Sequence, residues 1–191
     1  MTAVKKYWDS AINFEEYMKI SEQRFHEPAN EQEKEFKEYY ELGLHRMERT
    51  LKTYKVDETH LETLKNKNFD GKILIISEPW CGDASATVPA VSKFFEAAGN
   101  EVKIFLRDAD TSLIDQFLTD GTQSIPKVLI LDGEFNVLNS WGPRPKHGLE
   151  LLKRYKENPE TYPKDDFYND LQVYYAKNRG KDAIEEILEL I

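Results

Sequence analysis

Apolar residues recur along this chain with different spacings, and each spacing predicts a different element. Up to about residue 56 they fall three and four apart. Phe14, Tyr17, Met18 and Phe25 share one helical face, and Phe36, Tyr40, Leu44, Met47 and Leu51 share another. That is the pattern of amphipathic helices with one face on a core. Asn13 followed by Glu16 has the spacing of a capping box, with Asn in place of Ser or Thr. Pro28, Ala29 and Asn30 separate the two helices.

The pattern then changes. A short helix is predicted over residues 59–65, and Asp70-Gly71 makes a turn. Residues 72–76, Lys-Ile-Leu-Ile-Ile, read as a strand buried on both faces. Ala84, Val88, Val91, Phe95 and Ala98 return to helical spacing, with Gly99 as the C-cap. Further strands are predicted over 102–106 and 127–131, with a short helix over 111–119 between them. Asp132-Gly133 signals a hairpin, so 135–141 comes back antiparallel and Gly142 ends it. A helix follows over 146–156. The order βαβα and then ββα predicts an α/β fold: a mixed sheet with helices on both faces. Beyond Pro159 and Pro163 the spacing is helical again, through Phe167, Leu171 and Tyr174, then Ile184, Ile187, Leu188 and Ile191, with Gly180 between the two sets. The expected organisation is an N-terminal helical extension (1–56), an α/β domain (57–157) and a C-terminal helical extension (158–191), packed as one globular unit. The Tyr-rich helical stripes read as core, with a partner or homodimer face as the alternative.

Composition narrows the function. With 191 residues, 40% of them hydrophobic, the chain can bury a substantial core. Its net charge of -9 and lack of a basic stripe argue against nucleic acid, whose binding rests on neutralised phosphates. They argue equally against an anionic membrane surface. No apolar run approaches the roughly 20 residues of a bilayer span. Residues 1–10 have no apolar secretion signal, and a single cysteine precludes an intramolecular disulfide, so the expected location is the reducing cytoplasm. His26, His45, His60 and His147 are scattered without metal-ligand spacing. They are expected at the surface or as caps, with no metal or cofactor. Neither a Gly-rich phosphate loop nor a catalytic triad pattern is visible.

One stretch carries chemistry: Ser-Glu-Pro-Trp-Cys-Gly-Asp-Ala at residues 77–84. Cys81 falls between a buried strand and a helix start, where the helix dipole lowers a thiol pKa and the sulfur is exposed. The plainer reading of a lone cysteine is a small buried apolar residue. Asp83 suits a helix N-terminus and reads first as a cap. Its charge would also raise the Cys81 pKa, and an acid–base or substrate-bonding role is the alternative. Glu78 reads as solvated, Trp8 and Trp141 as packing.

Trp80-Cys81-Gly82 at a strand-to-helix junction resembles the thioredoxin superfamily, whose signature is Trp-Cys-Gly-Pro-Cys. Other residues match in order: Pro89 in the following helix, Asp108-Ala109-Asp110 after the next strand, Ser124-Ile125-Pro126-Lys127 before a strand, and Gly142 after the hairpin. The resemblance spans residues 57–157. It implies a thioredoxin-like fold in which the Ile125–Pro126 bond is cis and lies beside Cys81. It also implies that the backbone before Pro126 pairs with a substrate peptide and that Trp80 covers the cysteine. The departures are equally specific. Ala84 replaces the second cysteine, Asp83 the motif proline, and Ile75 the family's buried aspartate. A lone chain cannot resolve a mixed disulfide on Cys81, so the dithiol reductase cycle is excluded.

Two functions remain open. One is a monothiol thiol–disulfide oxidoreductase: Cys81 attacks a mixed disulfide between a protein and a low-molecular-weight thiol, and an external reducing thiol releases it. The other is a redox-inactive binding module that holds a peptide or partner protein in a groove formed by Trp80, Gly82, Asp83, Ile125 and Pro126. A weaker resemblance, to glutaredoxin-like proteins holding glutathione or an iron–sulfur cluster, meets Ser-Ile-Pro and Asp132-Gly133-Glu134 where those families carry Thr-Val-Pro and Gly-Gly.

Overall fold

Ile73, Leu74, Ile75 and Ile76 are completely buried, and the sheet is built around them. In the computed structural model, which describes residues 4–191, they form β1 (Lys72–Ser77). β1 pairs in parallel with β2 (Val102–Leu106) and antiparallel with β3 (Lys127–Leu131), and β3 pairs antiparallel with β4 (Val137–Trp141). The order β2-β1-β3-β4 leaves β1 and β3 central. Both are apolar on both faces, because helices cover the sheet on either side. At the β2 edge, Ile12 and Ile104 exchange main-chain hydrogen bonds of 2.9 and 2.7 Å, which caps that edge with the N-terminal segment.

Nine α-helices surround the sheet among the described residues. Ahead of β1 come α1 (Lys5–Ser10), α2 (Phe14–His26), α3 (Glu31–Glu35), α4 (Lys37–Thr53) and α5 (Glu58–Asn66). The Asn13–Glu16 capping box is formed in both directions at the start of α2. After β1 come α6 (Ala84–Ala97), α7 (Lys146–Glu157), α8 (Lys164–Asn178) and α9 (Lys181–Leu190). α4 packs on both α2 and α6, α8 on α7, and α9 on α5, α6 and β4. One apolar core therefore runs from Tyr7 and Tyr17 through the sheet to Ile184 and Ile187. A smaller cluster under α8 contains Ala86, Tyr162, Phe167, Leu171 and Tyr175. No helix among the described residues is long and apolar enough to cross a membrane.

One local expectation is corrected. Residues 111–119 form no α-helix; a 3₁₀ turn, Ile114–Gln116, stands there instead. The Asp110 carboxylate takes both the N–H and the hydroxyl of Ser112, a local bond that competes with helix formation. On α8 the buried face runs Phe167, Leu171 and Tyr175, and Tyr174 packs half-buried against the same cluster with its hydroxyl donating to Asp182 at 2.6 Å.

Gly43 explains how closely the N-terminal helices approach the sheet end. A β-carbon there would stand 2.7 Å from the Pro79 carbonyl oxygen. Glycine within a helix costs about 1 kcal/mol relative to alanine, and here it lets α4 lie directly against the loop that carries Cys81.

A candidate binding groove around Cys81

The loop between β1 and α6 is folded tightly on itself. The Cys81 N–H donates to Glu78 O at 3.1 Å, the Ser85 N–H to Cys81 O at 3.1 Å, and the Ser85 hydroxyl to Gly82 O at 2.7 Å. This places Cys81 at the N-terminal end of α6, facing Ile125. The Ile125–Pro126 peptide bond is cis, and the Cys81 thiol donates to the Ile125 carbonyl at 3.4 Å. Behind this wall, Gly142 has φ of +118°, and a β-carbon on it would fall 2.2 Å from Pro126 O. Only glycine allows β4 to end so close to the proline.

The sulfur is not the exposed, acidified thiol expected from its place at a helix start. Cys81 is only 8% exposed. Burial and then the charge of Asp83 push its pKa up to about 12, against the pull of the Ala84 and Asp83 main-chain N–H groups and of Arg144. Desolvation outweighs the helix end here, so the thiol is protonated at neutral pH.

Both acids of the loop depart from expectation. Asp83 makes no capping bond. Its backbone is already helical (φ -71°, ψ -38°), and a capping side chain needs an extended residue. It forms instead a two-pronged ion pair with Arg144, at 3.0 and 2.7 Å, and accepts from the Tyr175 hydroxyl at 2.8 Å. Burial nevertheless raises its pKa, opposed by Arg144, Tyr175 and Arg46. Glu78 is not solvated: it is 0% exposed and accepts from Arg24 at 2.8 Å and from the Asp108 N–H at 2.8 Å. Its pKa is raised chiefly by burial.

Trp80 forms one wall. Its indole N–H reaches Asp108 at 3.1 Å, Arg107 lies over the ring, and Phe36 meets it edge-on. Gly82 faces the extensions: a β-carbon there would lie 3.5 Å from Arg46 Nη1 on α4 and 3.9 Å from Gln172 Nε2 on α8. Lys127, next to the proline, is buried with its ammonium on Thr119 Oγ1 and Gly142 O, and desolvation lowers its pKa. His60 departs from the expected surface role, being buried with Nε2 3.1 Å from Glu185. No group of His, Cys, Asp or Glu among the described residues could hold a metal ion.

These parts enclose a groove of about 920 Å³. Trp80, Cys81, Gly82, Asp83 and Ile125 line it, as the sequence places them; Pro126, the sixth residue expected there, is buried and not part of the lining. Sequence reasoning missed the contributions of the extensions: Tyr39, Leu42 and Arg46 from α4, and Tyr168, Leu171 and Gln172 from α8. It also missed Arg144 and Arg24. The available signal was two acids beside a buried strand, each of which needs a cation if it is buried.

A family model described as Thioredoxin matches residues 29–156. It begins inside the N-terminal helices, before the span that carries the motif resemblance. No curated protein matches the chain. Among solved structures, a protein of unknown function from Pseudomonas aeruginosa is similar at 21% identity, over 100% of this chain and 97% of that one, with a TM-score of 0.67. An HIV epitope-scaffold is similar at 21% identity, over 97% and 95%, with a TM-score of 0.64. Both likenesses cover the helical extensions as well as the sheet, and at this identity they speak for the fold alone. The family match covers more than half the chain, and the chain belongs to the thioredoxin family.

Proposed function

We propose that this protein is a binding module that takes an extended peptide segment of a partner protein into the groove between Trp80 and the Ile125–Pro126 wall, without thiol turnover. One observation carries the reading: the sole thiol is buried, protonated and tied to the wall by its bond to Ile125 O. A nucleophile would stand free and ionised. Ala84 in place of a resolving cysteine agrees with this. The irregular stretch 122–125 lines one side of the groove, and added-strand pairing along such backbone is a common way to hold a peptide.

The monothiol exchange reading keeps one observation in its favour: the Asp83 and Ala84 N–H groups draw the Cys81 pKa down. The test separates the two. Random heptapeptides displayed on phage, with cysteine allowed, are selected on the full chain. Cysteine-free peptides should enrich and bind the Cys81→Ser variant with unchanged Kd, while Trp80→Ala weakens them about tenfold. Failure of any peptide to enrich would sink the reading. Enrichment of cysteine peptides alone, with capture lost in Cys81→Ser, would replace it with monothiol exchange.

A further inference from the structure

We infer that the segment held in this groove is acidic, with an Asp or Glu carboxylate seated on Arg46 above Gly82 and an apolar side chain between Tyr39, Leu42 and Tyr168. The inference rests on the groove-binding reading and names the chemistry of the occupant.

The charges lining the groove are unequally paired. Four cations line the groove: Arg46, Arg107, Arg144 and Lys164. Arg107 is committed to Asp108 at 2.7 Å and Arg144 to Asp83 at 2.7 Å. Arg46 makes no ion pair among the described residues, although Asp83 lies close enough to act on it electrostatically. Lys164 lies over the Tyr168 ring and is likewise in no ion pair. Against these two stands one further groove acid, Asp165. The surplus is positive, in a chain whose net charge is -9. An excess of cations confined to one cavity of an acidic protein favours an anionic occupant.

Placement supports this. The Arg46 guanidinium lies over Gly82, beside Cys81. It is half-buried, and desolvation, followed by repulsion from Arg49, lowers its pKa. A carboxylate would relieve that cost through charge-assisted hydrogen bonds, for which the arginine fork is shaped. Gln172 also approaches Gly82, with its amide Nε2 3.9 Å from where a β-carbon would stand. That amide is a second N–H donor beside Arg46 for a carboxylate oxygen. At the rim, Tyr39, Leu42 and Tyr168 are 58%, 44% and 47% exposed. These large apolar side chains around a polar floor are the anatomy of a recognition site.

The peptides selected on the full chain also test this inference. Asp or Glu should be enriched over the starting library, next to an aromatic or branched apolar residue. For one enriched peptide, Arg46→Gln should weaken binding about tenfold, the scale of one hydrogen bond to a charged group. Changing the peptide acid to its amide should cost the same, and the two changes together no more than either alone. Because Arg46→Gln leaves the core untouched, an unchanged urea midpoint serves as the control for folding. Peptides that depend on Trp80 yet show no acidic enrichment, or lose the two contributions additively, would overturn the inference and leave the groove-binding reading standing. No enrichment at all would remove both.

Discussion

Glu78 and Asp83 flank Cys81 in one loop, and each is a buried acid held by an arginine from elsewhere in the chain. Their partners differ. Glu78 is held by Arg24 of α2, which also lies 3.5 Å from Glu33, and by the Asp108 N–H. Asp83 is held by Arg144, just ahead of α7, and by Tyr175 of α8. Only Asp83 acts on the sulfur, where its charge is the second cause of the raised pKa. The N-terminal side of the loop thus anchors the sheet end to the added helices, and the C-terminal side sets what the thiol can do. Ala84 stands next to that Asp83–Arg144 ion pair at the start of α6, beside the sole thiol.

The largest expected effect follows from how many partners each arginine would keep. Asp83→Ala leaves the Arg144 guanidinium, 17% exposed, with no carboxylate. Removing one member of a buried pair typically destabilises by about 3–5 kcal/mol. Glu78→Ala leaves Arg24 near Glu33, so the expected loss is about 1–3 kcal/mol, that of a buried charged hydrogen bond. Urea unfolding of both variants checks the order. Equal losses would mean that the two ends of the loop are equivalent supports.

Much of this arrangement could be read from the chain, for physical reasons that differ from residue to residue. The period of Ile73–Ile76 and the Asn13–Glu16 spacing are local, and local patterns survive folding. Cys81, Trp80 and Ile125 were legible because a motif in order along the chain fixes their meeting. Asp83 and Glu78 were misread because burial is decided by residues far off in sequence: Arg144 and Tyr175 lie 61 and 92 positions from Asp83. No spacing rule reaches that far. For the same reason Arg46 could be seen only as part of the polar face of a helix, although Gly43, three residues before it, is what lets that face meet the loop.

Next in size is the effect on the thiol. Asp83→Asn removes a negative neighbour and leaves Arg144 unneutralised, and both changes lower the Cys81 pKa. Alkylation at pH 8 should rise about tenfold, the equivalent of one pKa unit, whereas Glu78→Gln should leave the rate unchanged. The sign carries into stability. The folded value of about 12 lies above the ordinary 9.0, so the folded state keeps a proton that the unfolded chain releases. The stability this contributes is complete below pH 9.0 and is lost as pH rises towards about 12. Cys81→Ala should lack that slope, at most about 1.4 kcal/mol per pH unit. A wild-type alkylation rate matching a free thiol at pH 8 would contradict the burial on which the comparison stands.

The smallest effect separates two buried tyrosines, one on each side of the loop. Tyr175 donates to Asp83 Oδ1 at 2.8 Å, and the Tyr17 hydroxyl bonds Ser77 Oγ at 2.9 Å. Each Tyr→Phe change removes one buried hydrogen bond and should cost about 1 kcal/mol, so their single-variant stabilities are expected to be alike. Their couplings are not. In an Asp83→Asn background the hydroxyl of Tyr175 loses its charged acceptor, and Tyr175→Phe should then cost less than half as much. Tyr17→Phe should cost the same in both backgrounds, since distant sites without shared partners add. The double-mutant cycle is the measurement. If Tyr175→Phe and Asp83→Asn proved additive, the hydroxyl would be packing beside the carboxylate rather than holding it, and α8 would cover the motif without gripping it.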